Sequence, residues 1–111
     1  MIINYTPHTV TVRTHGGKEY IYPATGTVAR VEMLSCDQPP LDDGCPTCTV
    51  VYGEAQLPQG EQDLYIVSTM FADAYRRQHG RNGIQLFVPD SGPDAIRENG
   101  QIVAVRRLIR R

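Results

Sequence analysis

Residues 64–79 constrain this chain more than any other stretch. Leu64, Tyr65, Ile66 and Val67 are an unbroken apolar run, which fits a strand covered on both faces. Ser68 and Thr69 follow, two residue types that accept a hydrogen bond from the free N–H groups of a helix start. In TMFADAYRRQH, Met70, Phe71, Ala74, Tyr75 and Gln78 fall on one side at helical spacing, with Asp73, Arg76 and Arg77 on the other. Arg76, Arg77 and His79 stand where a helix dipole is negative, and Gly80 with Asn82-Gly83 stops the helix. A strand running straight into a helix N-terminus turns unpaired backbone N–H groups toward one spot, which suits a phosphate or carboxylate. Ser68 therefore has two readings, helix cap or ligand contact.

The segments around this junction read as strands and turns. Ile2 and Ile3 predict a first strand, broken at Asn4-Tyr5-Thr6-Pro7-His8 because Pro7 fixes its own φ and biases Thr6 toward an extended backbone. Residues 9–13 alternate as a half-buried strand, His15-Gly16-Gly17 is a hairpin turn, and Tyr20-Ile21-Tyr22 returns. Residues 27–34 predict another strand, with Ala29, Val31 and Met33 on one pleat and Val28, Arg30, Glu32 and Leu34 on the other. Arg30 then shares a face with apolar neighbours and needs a partner, either a carboxylate such as Glu32 or a bound anion.

Residues 35–46 are polar, acidic and rich in proline, and read as a surface loop. Residues 48–57 follow as a strand with Gly53 as a bulge, and Pro58-Gln59-Gly60 as a turn. Beyond the helix, residues 84–88 are a strand, Pro89 to Asp94 a dense turn and residues 95–97 a short strand. Asn99-Gly100 is a hairpin turn, leading into a long final strand over residues 101–109. The expected fold is α+β in a single domain over residues 1–111. It is a small, mainly antiparallel β-sheet or partial barrel with one central helix after LYIVS.

Charge bounds the partners. Residues 1–75 carry three basic side chains against nine acidic ones, and residues 76–111 carry eight arginines against three acids. The total of −1 argues against a general nucleic-acid binder, which is usually strongly basic. The split draws an anionic ligand toward the C-terminal part or brings one copy's acidic surface to another's basic surface. With the unpaired edge of a long final strand, it predicts a homo-oligomer, most simply a dimer.

No apolar run approaches the roughly 20 residues of a membrane span, and MIINYTPH lacks the features of a secretory signal. Three cysteines, an odd number, then read as reduced thiols of a cytoplasmic protein. Cys45-Pro46-Thr47-Cys48 is a lone CxxC with only Cys36 as a third thiol and no histidine nearby. It falls short of a zinc set or a thioredoxin-type motif, so neither metal nor cofactor is expected.

The sequence holds no P-loop, no GxGxxG after a strand, no HExxH and no nucleophile elbow. Residues of anion-binding type do occur: Thr6, His8, Arg30, Ser68, Thr69, Ser91 and Arg97 offer hydroxyls, an imidazole and guanidinium forks. Asp90 is placed to accept from a ribose hydroxyl, and six tyrosines offer faces for a base to stack on. These residues predict a non-enzymatic binder of a small phosphorylated ligand. Two alternatives stay open: a structural, assembly or protein-interaction module without a small-molecule site, and a small hydrolase using His8 and Asp90, with Ser68 at a third strand end.

Three segments together carry a resemblance: Asn4-Tyr5-Thr6-Pro7-His8-Thr9-Val10; LYIVS at 64–68; and Val88-Pro89-Asp90-Ser91-Gly92-Pro93 with GQIVAVR at 100–106. In these the chain resembles a family of small proteins from bacteria and their phages. The resemblance skips the cysteine-bearing loop and brings no catalytic residues with it. In size and charge polarity, though not by motif, the chain is also similar to phage anti-defence sponge proteins, which sequester TIR-derived or cyclic nucleotide immune signals. That similarity implies a nucleotide-type ligand, such as an ADP-ribose derivative or a cyclic nucleotide, held rather than turned over.

Overall fold

Leu64–Ile66 is an inner strand, hydrogen-bonded on both edges, of a four-stranded sheet. The computed structural model describes residues 2–58 and 64–111. In chain order the strands are β1 (Ile3–Asn4), β2 (Val10–Arg13), β3 (Glu19–Tyr22), β4 (Met33–Gln38), β5 (Thr47–Tyr52) and β6 (Leu64–Ile66). Helix α1 (Thr69–His79) follows, then β7 (Gln85–Pro89), β8 (Ile96–Glu98), β9 (Gln101–Ala104) and β10 (Leu108–Arg110). The central sheet has the order β1-β6-β7-β10, and β2-β3, β4-β5 and β8-β9 are separate hairpins. The fold is α+β, mostly small antiparallel pairings with one helix among the described residues, which close no barrel. Within the central sheet β1, β6 and β7 run parallel, and only β10 is antiparallel to its neighbour.

Both faces of this sheet are covered, which is why its strands read as continuous apolar runs. Tyr65, Val67, Leu86 and Val88 point to the helix side and pack with Phe71, Ala72, Ala74 and Tyr75. Ile66 and Phe87, one residue out of phase, point to the other side and pack with Val10, Val12, Ala95 and Val105. There two hairpins are stitched together at the Val12–Val105 bridge, where Arg13 N donates to Val105 O at 2.8 Å and Val105 N to Thr11 O at 2.9 Å. Asn99 (φ 53) and Gly100 (φ 79) form the β8–β9 turn, and two positive φ angles there match the hairpin type that Asn-Gly favours.

Several elements differ from those expected of the sequence. Residues 27–32 form no strand: Ala29 N donates to Tyr5 O and Ala29 is buried, while Arg30 faces solvent. The stretch read as a surface loop contains β4, paired with β5 over six positions from Met33↔Tyr52 to Gln38↔Thr47, so only the tip is loop. The final strand is broken after Ala104, because Ala104 and Val105 are both buried and the chain there leaves the hairpin layer for the central sheet. Gln59 and Gly60 of the expected turn lie outside the described residues. His79, expected to be solvated, sits 2.9 Å from Ala55 O, and Gln78 bridges Gly53 O and Ala55 N. Together they fasten the 53–55 segment to the helix.

Candidate functional site

Parallel strands open their carboxyl ends on one edge of a sheet, where ligands of such sheets commonly sit beside a helix N-terminus. At this edge β1 runs into Tyr5-Thr6-Pro7, β6 into Ser68 and the helix, and β7 into Asp90. Thr6, Ser68 and Asp90 therefore come from three neighbouring strand ends.

The first loop is built on Asn4, which is only 2% exposed. Its Oδ1 accepts from Thr6 N at 2.9 Å and from Thr6 Oγ1 at 2.6 Å, and its Nδ2 donates to His8 O at 2.9 Å and Tyr22 O at 2.8 Å. All the amide's hydrogen-bonding groups are engaged, as a buried polar side chain requires. Asn4 was missed in the sequence reading, although Asn followed two residues on by a turn is the signature of an Asx turn. His8 contributes its carbonyl to this knot, and its imidazole has no partner among the described residues.

Ser68 caps the helix: its backbone is extended (φ −70, ψ 155), and its Oγ accepts from Phe71 N at 3.2 Å. Ala72 N donates to Ser68 O at 2.9 Å, which leaves Thr69 N and Met70 N as the free donors of the first turn. The helix start borders a cleft of about 230 Å³ whose lining includes Tyr5, Thr6, Arg30, Ser68 and Met70. The Arg30 guanidinium has no hydrogen-bond or ion-pair partner among the described residues. The cleft thus combines a cation without a partner among the described residues and a helix start, with Thr6 at its rim. Met70, 46% exposed, forms a ridge, and beyond it a second hollow of about 330 Å³ is lined by Tyr52, Thr69, Met70, Asp73 and Arg77.

The remaining expected site residues serve another structure. Arg97 Nη1 donates to Gly92 O at 3.2 Å and Ala95 O at 3.4 Å, and its Nη2 to Ser91 O at 3.0 Å. Asp90 Oδ1 accepts from Gly92 N at 3.1 Å, and its Oδ2 from Arg107 Nε at 2.8 Å. The Arg107 guanidinium, and after it the Gly92 N–H, hold the Asp90 carboxyl below the usual carboxylate range. Asp90, Ser91 and Arg97 are stapled into one turn and line neither hollow. Of the eight candidates the structure brings Thr6, Arg30 and Ser68 to one cleft and Thr69 to the next, and His8 lines neither.

Among the described residues no three His, Cys, Asp or Glu side chains group as a metal site, and no helix is long and apolar enough to cross a membrane. Cys36 pairs in register with Thr49 and Cys48 with Asp37, which sets these two thiols on opposite faces of the β4–β5 hairpin. Compared with known protein families, curated proteins and solved structures, the chain matches none.

Proposed function

We propose that this chain binds, without turning it over, a small phosphorylated ligand of nucleotide type, such as an ADP-ribose derivative or a cyclic nucleotide. The observation that carries the reading is that Arg30, whose guanidinium has no partner among the described residues, lines the same cleft as Ser68 and Met70 at the start of α1. Phosphate takes the backbone donors of Thr69 and Met70, and Arg30 supplies a planar fork for its oxygens. The cleft is too small for a whole nucleotide, since sites for such ligands usually span about 300–1,000 Å³. The ligand therefore crosses the Met70 ridge. Its base stacks on Tyr52, and Asp73 takes the ribose-accepting role expected of Asp90. Sequestration of an immune signal as phage counter-defence, in the host cytosol, is the role that the similarity to sponge proteins adds to this reading.

A thermal-shift screen against ADP, ADP-ribose and cyclic nucleotides tests the proposal. Saturation at about a hundred times Kd stabilises by about 2.7 kcal/mol, which raises the melting temperature by several degrees. Heating the complex should then release the ligand intact. A screen with no response contradicts the proposal, and recovery of a cleaved ligand favours the hydrolase. A second reading, an interaction module, is favoured by the projecting β4–β5 hairpin.

A further inference from the structure

Two exposed surfaces on this chain match each other. The first is the β4–β5 hairpin, which joins no other sheet among the described residues. It is an arm: the radius of gyration is 16.8 Å, against about 13 Å for a compact chain of this length, and the longest extent is 53 Å. Isolated two-stranded hairpins are marginal in water, and this one exposes Met33 and Val50 on one face and Leu34 and Val51 on the other. Its tip, Pro39-Pro40-Leu41-Asp42-Asp43-Gly44, is closed by hydrogen bonds between Leu41 and Cys45 and between Gly44 and Leu41. Leu41 stands 57% exposed beside two aspartates.

The second surface is a groove of about 340 Å³ floored by Tyr20, Tyr22, Phe87 and Leu108 and rimmed by Arg107 and Arg110. Arg110 lies over the Phe87 ring with its guanidinium carbon 5.1 Å from the centroid, which sets a cation directly beside the apolar floor. An exposed leucine flanked by carboxylates fits an apolar floor flanked by guanidinium groups. Among the described residues both surfaces are open.

We propose that the arm tip of one copy seats in the arginine-rimmed groove of a second copy, and reciprocally, closing a two-fold dimer. Leu41 enters the floor, and Asp42 and Asp43 meet Arg107 and Arg110. The contact gives the acidic N-terminal and basic C-terminal parts of the chain a shared purpose. It is independent of the cleft beside α1 and stands whether or not a nucleotide binds there.

Sedimentation velocity with charge-swapped variants tests it. The native chain should sediment as a dimer at micromolar concentration and loosen as salt rises. Asp42→Lys with Asp43→Lys reverses the tip, and Arg107→Glu with Arg110→Glu reverses the rim. Each pair should raise the dissociation constant at least about a hundredfold, because like charges then face each other. An equimolar mixture of the two should dimerise again, since the reversed tip meets the reversed rim and the native tip meets the native rim. Arg107 also holds Asp90, so R110E alone replaces the rim variant if the pair fails to fold. A monomeric native chain at low salt, a dimer indifferent to both reversals, or a mixture that stays monomeric overturns the proposal.

Discussion

Asn4 Nδ2 reaches across the chain to donate to Tyr22 O at 2.8 Å, tying the end of β1 to the end of β3. The same buried amide holds Thr6 at the rim of the cleft, so the fold and the candidate site share one residue. Replacing it by alanine orphans the Thr6 N–H and removes the side-chain donor to Tyr22 O, while His8 O keeps the Thr6 hydroxyl. Unmade buried hydrogen bonds cost about 1–3 kcal/mol each, so N4A should lower stability by about 3 kcal/mol, read from the urea midpoint at unchanged slope. A loss below about 1 kcal/mol contradicts this account of the loop.

Arg97 was expected to meet the ligand, and its guanidinium instead donates to three carbonyls of the 91–95 turn. Arg97→Ala should lower stability by about 1 kcal/mol and leave ligand affinity unchanged within a factor of two or so. Lysine should not restore the stability, because a point charge cannot span the three acceptors. A titration in which R97A weakens binding tenfold returns Arg97 to the site.

The Asp90–Arg107 pair predicts a pH dependence. Asp90 ionises more readily in the folded chain than in the unfolded one, so the unfolded chain binds the extra proton as pH falls. The stabilisation is present above the ordinary carboxylate range and is lost as pH drops through the lowered folded value. Melting temperature followed from neutral pH into acid should therefore fall less steeply in Arg107→Ala than in the native chain. Parallel curves contradict the assignment.

Cys36, Cys45 and Cys48 are free and exposed, with Cys36 and Cys48 on opposite faces of the arm. Replacing all three by serine should leave the melting temperature within a few degrees. Elemental analysis of the native chain that finds one zinc per chain, lost on this replacement, sinks the prediction.

The central junction was legible because three signals coincide there: an apolar run, a capping serine and a helical period from Phe71 to Tyr75. The Asn99-Gly100 turn was legible from backbone chemistry alone. The arm was half hidden, since strands exposed on both faces carry no alternation, and Ser35, Cys36, Asp37 and Gln38 read as loop. The break near Val105 was invisible because a strand changing layers keeps its apolar composition. Residue type nominated Arg30 and Arg97 equally as anion ligands. Only the fold shows that Arg97 has local carbonyls within reach and Arg30 has no partner among the described residues.

Calorimetric titration of ADP-ribose into the native chain, Arg30→Ala and Ser68→Ala tests the central claim most directly. Loss of a charge-assisted hydrogen bond costs about 1.5–3 kcal/mol, so R30A should bind roughly ten- to a hundredfold more weakly. S68A keeps the backbone donors and loses only the cap, about 1 kcal/mol of helix stability, so its affinity should stay close to native. Native binding that survives R30A unchanged, or no binding by the native chain, contradicts the claim that the cleft between Arg30 and the start of α1 is a phosphate site.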